Sequence, residues 1–97
     1  MATYITLINF TDQGIRHVKD TAKRAEALKE AAKKLGVTVK EMYWTLGRYD
    51  GVVTVEAPDD PSVTALGLAL GAMGNVRTQT LRAFGQSEMK QILDKMP

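Results

Sequence analysis

The chain has 97 residues, of which 44% are hydrophobic and 25% are charged, as expected for one small globular domain. Lys and Arg number 13 and Asp and Glu number 11, so the net charge is +2, far below the basic excess of a nucleic-acid-binding domain. There is no Cys and one His, which excludes a disulfide scaffold and a thiolate or multi-histidine metal site within one subunit. We predict one domain over residues 1–97, with no metal, no cofactor and no nucleic-acid partner.

The N-terminal residues run directly into a strand pattern, without the basic and apolar segments of a secretory signal. The most apolar stretch, residues 65–73, is well short of the roughly 20 residues that a membrane-spanning helix needs. We therefore expect a cytoplasmic protein that makes no membrane contact.

The first half of the chain predicts a strand followed by a helix. Residues 3–10 are rich in β-branched and aromatic side chains and lack a helix or strand breaker, which predicts a strand covered on both faces. From residue 12 to residue 35, apolar side chains recur every three or four positions, which predicts a helix with one buried face. Gly36 ends this helix, and Asp20-Thr21 can cap a second segment, which allows a break there.

The second half predicts a hairpin, a helix, a strand and a short terminal helix. Strands over residues 37–46 and 52–57 flank a turn at residues 47–51. A helix follows over residues 61–73, and its two glycines, Gly67 and Gly71, predict a close backbone neighbour because glycine weakens a helix by about 1 kcal/mol. A fourth strand covers residues 76–84, and Ser87 caps the last helix. The order β-α-β-β-α-β predicts an α+β, ferredoxin-like fold with a four-stranded antiparallel sheet.

The residues of the sheet predict a second copy of the chain as a partner. Alternation along the strands separates two sets, each of which is largely apolar. We assign to the helix side Ile5, Leu7, Val53, Val55, Leu81 and Ala83. The opposite face then carries Tyr4, Thr6, Ile8, Phe10, Val52, Thr54, Thr78, Thr80 and Phe84. This face is too apolar for free solvation, so we predict a homodimer or larger even-numbered oligomer in which two sheets stack around a semi-polar cavity. A slip of one residue would exchange members of the two sets.

Residues 43–51 (YWTLGRYDG) resemble the signature of the GYD-domain proteins, a small bacterial and archaeal family named after a Gly-x-Tyr-Asp turn, which is residues 47–50 in this sequence. Residues 10–15, 23–27, 56–60 and 74–78 are also similar to the family, so the resemblance extends over residues 3–84. It implies a ferredoxin-like domain of the dimeric α+β barrel type. It implies no particular activity, because the family has no established general function and its fold relatives include monooxygenases, isomerases and stress-induced dimers.

Three residues are candidates for catalysis: Tyr49, Asp50 and His17. Asp50 can act as an acid, a base or an anchoring carboxylate, and Tyr49 as a phenolic donor. Both also fit a purely structural role, because Asp-Gly suits a tight turn and Tyr49 can pack across it. His17 has an ordinary pKa near neutrality and is either a remote base or an exposed surface residue.

Three further residues are candidates for ligand binding. Trp44 can form a stacking wall for a flat ligand or simply pack, and its neighbour Tyr43 points to the opposite face of the strand. Arg48 and Arg77 lie on or beside strands, where an arginine either binds an anion or pairs with a nearby acid.

Two classes of function follow. The first is a non-catalytic homo-oligomer that binds a small molecule or has a structural or stress-related role, and we favour it because no cluster of titratable residues converges in the sequence. The second is a cofactor-independent enzyme, similar to a monooxygenase or isomerase, acting on a small hydrophobic or aromatic substrate in the barrel cavity. A closed, ligand-sized pocket lined by two or more of Trp44, Tyr49, Asp50 and His17 would favour the second class, whereas a filled, dry space between the sheets would indicate packing alone.

Overall fold

The structure, a computed structural model, describes residues 1–97 and contains four strands and four α-helices. The elements in chain order are β1 (Ala2–Phe10), α1 (Asp12–Arg16), a 3-10 turn (Val18–Asp20), α2 (Thr21–Lys34), β2 (Thr38–Trp44), β3 (Gly51–Ala57), α3 (Asp60–Ala72), β4 (Val76–Ala83) and α4 (Gln86–Asp94). The strands form one antiparallel sheet in the order β2-β3-β1-β4. This confirms the ferredoxin-like α+β prediction. No helix combines the length and the apolar character needed to cross a membrane.

The predicted long first helix is broken where Asp20 and Thr21 allowed it. Thr11 caps α1, since its hydroxyl accepts a hydrogen bond from the Gly14 amide at 3.1 Å. The chain then makes the 3-10 turn before α2 begins at Thr21. The break lets α1 lie against the end of β1 while α2 runs back across the sheet.

The core lies between α2, α3 and one face of the sheet. It contains nine buried apolar residues, namely Tyr4, Leu28, Ala32, Val37, Val53, Val55, Ala57, Val63 and Leu66. The other face of the sheet, which we call the open face, has no helix packed on it. Cross-strand pairing places on the open face Thr3, Ile5, Leu7, Asn9, Glu41, Tyr43, Val52, Thr54, Arg77, Gln79, Leu81 and Ala83.

The predicted face assignment is correct for β3 and wrong by one residue for β1 and β4. Tyr4 and Thr6 pair with Val55 and Val53, and all four are buried under the helices. The helix side therefore carries Tyr4, Thr6, Ile8, Phe10, Thr78 and Thr80, whereas Ile5, Leu7, Leu81 and Ala83 lie on the open face. Phe84 also lies on the helix side, since the Arg82 guanidinium stacks on the rings of Phe84 and Tyr4. Both alternating sets of β1 are apolar, so only pairing with β3 decides which one is buried.

The beginning of α3 is fixed by polar contacts from two carboxylates. Asp59 caps the helix by accepting a hydrogen bond from the Ser62 amide at 2.9 Å, and bonds from the hydroxyl and the amide of Ser62 lower the pKa of Asp59. The Tyr4 hydroxyl donates a hydrogen bond to Asp60 in the first turn, and this bond raises the pKa of Tyr4. The buried strand β1 is thereby attached to the N-terminus of α3.

The prediction of close backbone neighbours at Gly67 and Gly71 is wrong within the chain. A Cβ on Gly67 would meet the Thr78 hydroxyl at an ordinary 3.6 Å, and one on Gly71 would meet nothing within 4 Å. The close approach occurs at Gly14, where a Cβ would lie 1.9 Å from the carbonyl oxygen of Asn75.

Candidate functional site

A cleft of about 130 Å³ opens between α2, α3 and the helix side of the sheet, at the end where β1 leaves the sheet. Its walls are mainly apolar and are formed by Ile8, Phe10, Ala25, Leu28, Met42, Trp44, Val53, Leu70, Met73 and Val76. Its polar lining consists of Thr21, Arg24, Asp50 and Asn75. The cleft therefore lies within one subunit and on the opposite side of the sheet from the predicted inter-sheet cavity. Of the six candidate residues, it contains Trp44 and Asp50.

Trp44 forms one wall of the cleft. It is the last residue of β2 and is opposite Gly51 of β3, so its indole extends past the edge of the sheet toward α2. Its Nε1 donates a hydrogen bond to the Thr21 hydroxyl at 3.0 Å, which fixes the ring although the residue is 52% exposed. Tyr43 lies on the open face, on the opposite side of β2 from Trp44 as predicted, and its hydroxyl donates to Glu41 at 3.1 Å.

Asp50 connects the hairpin turn to the end of β1. Its amide donates to the Ile8 carbonyl at 2.8 Å, and its carboxylate Oδ2 accepts a hydrogen bond from the Phe10 amide, also at 2.8 Å. The carboxylate thus replaces the next backbone carbonyl of the β1–β3 ladder at the point where the chain turns away. The Asp50 carbonyl in turn accepts from the Thr45 amide at 2.9 Å. These contacts give Asp50 a structural role and leave Oδ1 without a protein donor.

Tyr49 and Arg48 lie on the other side of the sheet from the cleft. The Tyr49 hydroxyl donates to the Gln79 side chain at 3.3 Å, and Gln79 is an open-face residue of β4. The Arg48 guanidinium lies 5.8 Å from the centre of the Tyr49 ring. Gly47, at the tip of the turn, has a φ of 109°, which favours glycine. The Gly-x-Tyr-Asp turn therefore sends Tyr49 to the open face and Asp50 to the cleft.

His17 and Arg77 are separate from the cleft. His17 lies exposed at the junction of α1 and the 3-10 turn, where its carbonyl accepts a hydrogen bond from Arg24 at 3.0 Å. Arg77 is exposed on β4 opposite Asn9, on the open face. The structure thus distributes the six candidates over three places and does not bring Tyr49, Asp50 and His17 together. No three His, Asp or Glu side chains lie close enough to hold a metal ion.

Four residues of the cleft were not predicted from the sequence, namely Arg24, Met42, Met73 and Asn75. Met42 has a sequence signal, because it lies two residues before Trp44 and so shares its side of β2. Arg24 has none: its guanidinium donates to the carbonyls of Gly14 and His17 at 3.2 and 3.0 Å, contacts that depend on the break before α2. Asn75 and Met73 enter the cleft because the α3–β4 turn packs on α1.

Comparisons with known proteins show what this chain is similar to. A model of the GYD domain matches residues 4–93. A protein of Thermus thermophilus named "Glutamine synthetase and cystathionine beta-lyase binding protein" is 37% identical over 90 residues, which is 92% of this chain and 95% of that protein. A crystal structure of a Thermus thermophilus protein has a TM-score of 0.52 at 31% identity, covering 88% of this chain and 95% of that one. An ACT domain protein from Streptococcus pneumoniae has a TM-score of 0.49 at 19% identity, covering 100% of this chain and 98% of that one.

Proposed function

This chain belongs to the GYD-domain family, and we propose that it is a non-catalytic binding protein that forms a homodimer, or a larger even-numbered oligomer, and docks onto metabolic enzymes. The Thermus relative is named for binding glutamine synthetase and cystathionine beta-lyase. Because that protein and this chain are 37% identical over 92% of this chain, we propose a role of this kind for the present protein.

The observation that carries the proposal is the excess surface of the single chain. Its accessible surface is 6766 Å², whereas a monomeric protein of 10.6 kDa has about 5,500 Å². The excess, roughly 1,300 Å², is larger than the ~800 Å² that each partner buries in a standard protein–protein interface. The radius of gyration, 14.6 Å, likewise exceeds the ~12.5 Å of a compact domain of this length. Both values support an assembly in which part of this surface is buried.

We assign the contact between copies to the open face. Its centre is apolar, with Ile5 and Leu7 of β1 beside Val52 of β3 and Leu81 of β4. Stacking of two such faces buries the apolar centre at the usual distance between sheets, about 10 Å.

We assign the contact with enzymes to α4. None of its residues is buried, and Met89 and Leu93 are exposed, as is Met96 two residues after the helix ends. Together with Ile92 these residues have the spacing i, i+3, i+4, i+7, by which an amphipathic helix fills an apolar groove of a partner. An ion pair of 3.0 Å between Arg82 and Glu88 joins the beginning of α4 to β4, so the stripe is presented in a fixed direction.

The arrangement of titratable groups also favours a binding role over the alternative of a cofactor-independent enzyme. The cleft contains one carboxylate, Asp50, and one cation, Arg24. Asp50 already accepts the Phe10 amide, and Arg24 is bonded to backbone carbonyls. A general base needs reach to its substrate and a partner that tunes it, and His17 lies elsewhere. The cleft is better suited to holding a molecule than to transforming one.

The mass of the protein in solution tests the assembly. We expect light scattering at micromolar concentration to give at least twice the 10.6 kDa of the chain. Leu7→Glu places a charge at the centre of the open face and should reduce the mass to that of one chain, because the buried charge would lack a partner. Leu68→Glu is the matched control, since Leu68 is 70% exposed on α3, and should leave the mass unchanged. A monomeric wild-type protein, or an unchanged mass of a folded Leu7→Glu variant, would contradict the assembly.

Binding to purified enzymes tests the docking. We expect the wild-type protein to bind glutamine synthetase or cystathionine beta-lyase of its own organism with a Kd of about 10 µM or tighter. Leu93→Glu should weaken this binding at least tenfold while leaving the mass unchanged, because it disrupts the α4 stripe alone. Leu68→Glu again serves as the control. Absence of binding to both enzymes, or equal binding by Leu93→Glu, counts against the docking role.

A further inference from the structure

We propose that the cleft between α2, α3 and the sheet binds a small neutral molecule that has one aromatic ring and one hydrogen-bond donor, with the size and polarity of a phenol. The site lies on the helix side of the sheet and uses neither the open face nor the α4 stripe. It is therefore independent of the proposed function, and either can fail without the other.

The size of the cleft sets the size of the ligand. Its volume is about 130 Å³, and an apolar cavity of about 150 Å³ engineered in another protein stays dry and binds benzene. The present cleft therefore suits a single six-membered ring with one small substituent.

The walls favour an aromatic ring over a polar ligand. Trp44 presents a ring held in place by its bond to Thr21, and offset or edge-to-face packing of two rings is favourable. The thioethers of Met42 and Met73 also line the cleft, and polarisable sulfur packs well at ring edges. A sugar or an amino-acid backbone would leave most of its polar groups without partners here.

The polar lining selects a neutral donor. Asp50 uses Oδ2 for the Phe10 amide at 2.8 Å, while Oδ1 has no protein donor and can accept one hydrogen bond from a ligand. The positive charge of Arg24 in the same lining balances the carboxylate, so an anionic or a cationic ligand gains little net attraction. A phenolic hydroxyl supplies one donor to Oδ1 and no net charge.

The five methionines provide a direct test by NMR of the intact protein with 13C-labelled methionine methyl groups. Met42 and Met73 line the cleft, whereas Met1, Met89 and Met96 are exposed elsewhere. On titration with phenol we expect saturable shifts of the Met42 and Met73 methyls, caused by the ring current of the bound aromatic, with a Kd of about 1 mM or tighter. The other three methyls should not move. Shifts of all five, or of none up to the solubility of phenol, would overturn the proposal.

Two variants, one of them with a matched control, test separately the size and the polarity of the cleft. Ala25→Leu fills the cleft and should abolish the shifts, while Ala22→Leu, the same change at an exposed position of α2 outside the lining, should preserve them. Asp50→Asn keeps an oxygen for the Phe10 amide but turns an amide donor toward the cleft. It should weaken phenol about tenfold and leave the isosteric toluene unaffected. If Ala25→Leu does not fold, Asp50→Asn still tests the proposal. An equal loss of affinity for phenol and for toluene in this variant would reject the hydrogen bond from the ligand to Asp50.

Discussion

Replacement of Gly14 by alanine should lower the free energy of unfolding by about 3 kcal/mol or more, which corresponds to a fall in Tm of about 12 °C or more. The added Cβ would lie 1.9 Å from the carbonyl oxygen of Asn75, a backbone atom that no side-chain rotation can move away. The measurement is thermal and denaturant unfolding followed by circular dichroism. For a domain of this size the loss is a large part of the total stability, about 5–15 kcal/mol.

The effect should be large because the contact at Gly14 is part of a wider junction between α1 and the α3–β4 turn. The Thr11 amide donates to the Asn75 carbonyl at 3.1 Å, and the Thr11 hydroxyl donates to the Gly74 carbonyl at 2.5 Å. The Gln13 side chain donates to the Met73 carbonyl at 3.1 Å and to the Asn75 side chain at 3.0 Å. Separating the two backbones to admit a Cβ would stretch all of these bonds together.

Gly71→Ala is the matched control for Gly14→Ala. Gly71 lies in α3, and a Cβ there would meet nothing within 4 Å. Because alanine favours a helix more than glycine does, the substitution should leave the stability unchanged or raise it by up to about 1 kcal/mol. A Gly14→Ala protein that melts within a few degrees of wild type would show that the junction yields easily and does not hold the fold together.

Replacement of Asp50 by alanine should cost about 1–3 kcal/mol of stability, because the Phe10 amide would lose its acceptor at the end of the β1–β3 ladder. The Tm should then fall by about 10 °C. The substitution also removes the residue type that suits the turn before Gly51. The loss should appear whether or not any ligand is present, as expected of a structural role.

Asp50→Asn separates the structural role of Asp50 from a chemical one. Its amide oxygen can accept the Phe10 amide in place of Oδ2, so it should lose less than half of the stability lost by Asp50→Ala. Some stability should still be lost in Asp50→Asn, because a charged carboxylate accepts a stronger hydrogen bond from the Phe10 amide than a neutral amide oxygen does. If Asp50→Ala and wild type unfold at the same temperature, the carboxylate has no structural role and the catalytic interpretation of Asp50 gains weight.

The local patterns of the sequence were sufficient for the elements and their order. Each strand and helix lies within a few residues of its predicted position, and the break at Asp20-Thr21 was marked by residues that begin helices. Small errors occur at the ends of elements: the cap of the last helix is Gly85, and the helix begins at Gln86, whereas Ser87 was the predicted cap. Ends depend on one or two hydrogen bonds, which composition does not reveal.

The site was predicted in part because its residues come from separate segments. Trp44 and Asp50 were among the candidates, Trp44 as an aromatic residue on a strand and Asp50 as a carboxylate in the hairpin turn. Tyr49 is adjacent to Asp50, so the sequence suggested that the two residues act at one site. The turn instead sends their side chains to opposite faces of the sheet. His17 is distant because the 3-10 turn leads the chain away from the cleft.

What the amino-acid sequence determined by itself is the ferredoxin-like order of elements and the turn at residues 47–51, because hydrophobic period and turn chemistry act between near neighbours. What the tertiary structure alone decided is which face of β1 is buried and where the cleft opens. Tyr4 and Ile5 are both apolar, so alternation along β1 does not show which of them is buried. The pairing of Tyr4 with Val55 under the helices decides it. The cleft likewise exists only once α1, α2 and the α3–β4 turn pack together, since its walls come from residues far apart in the chain.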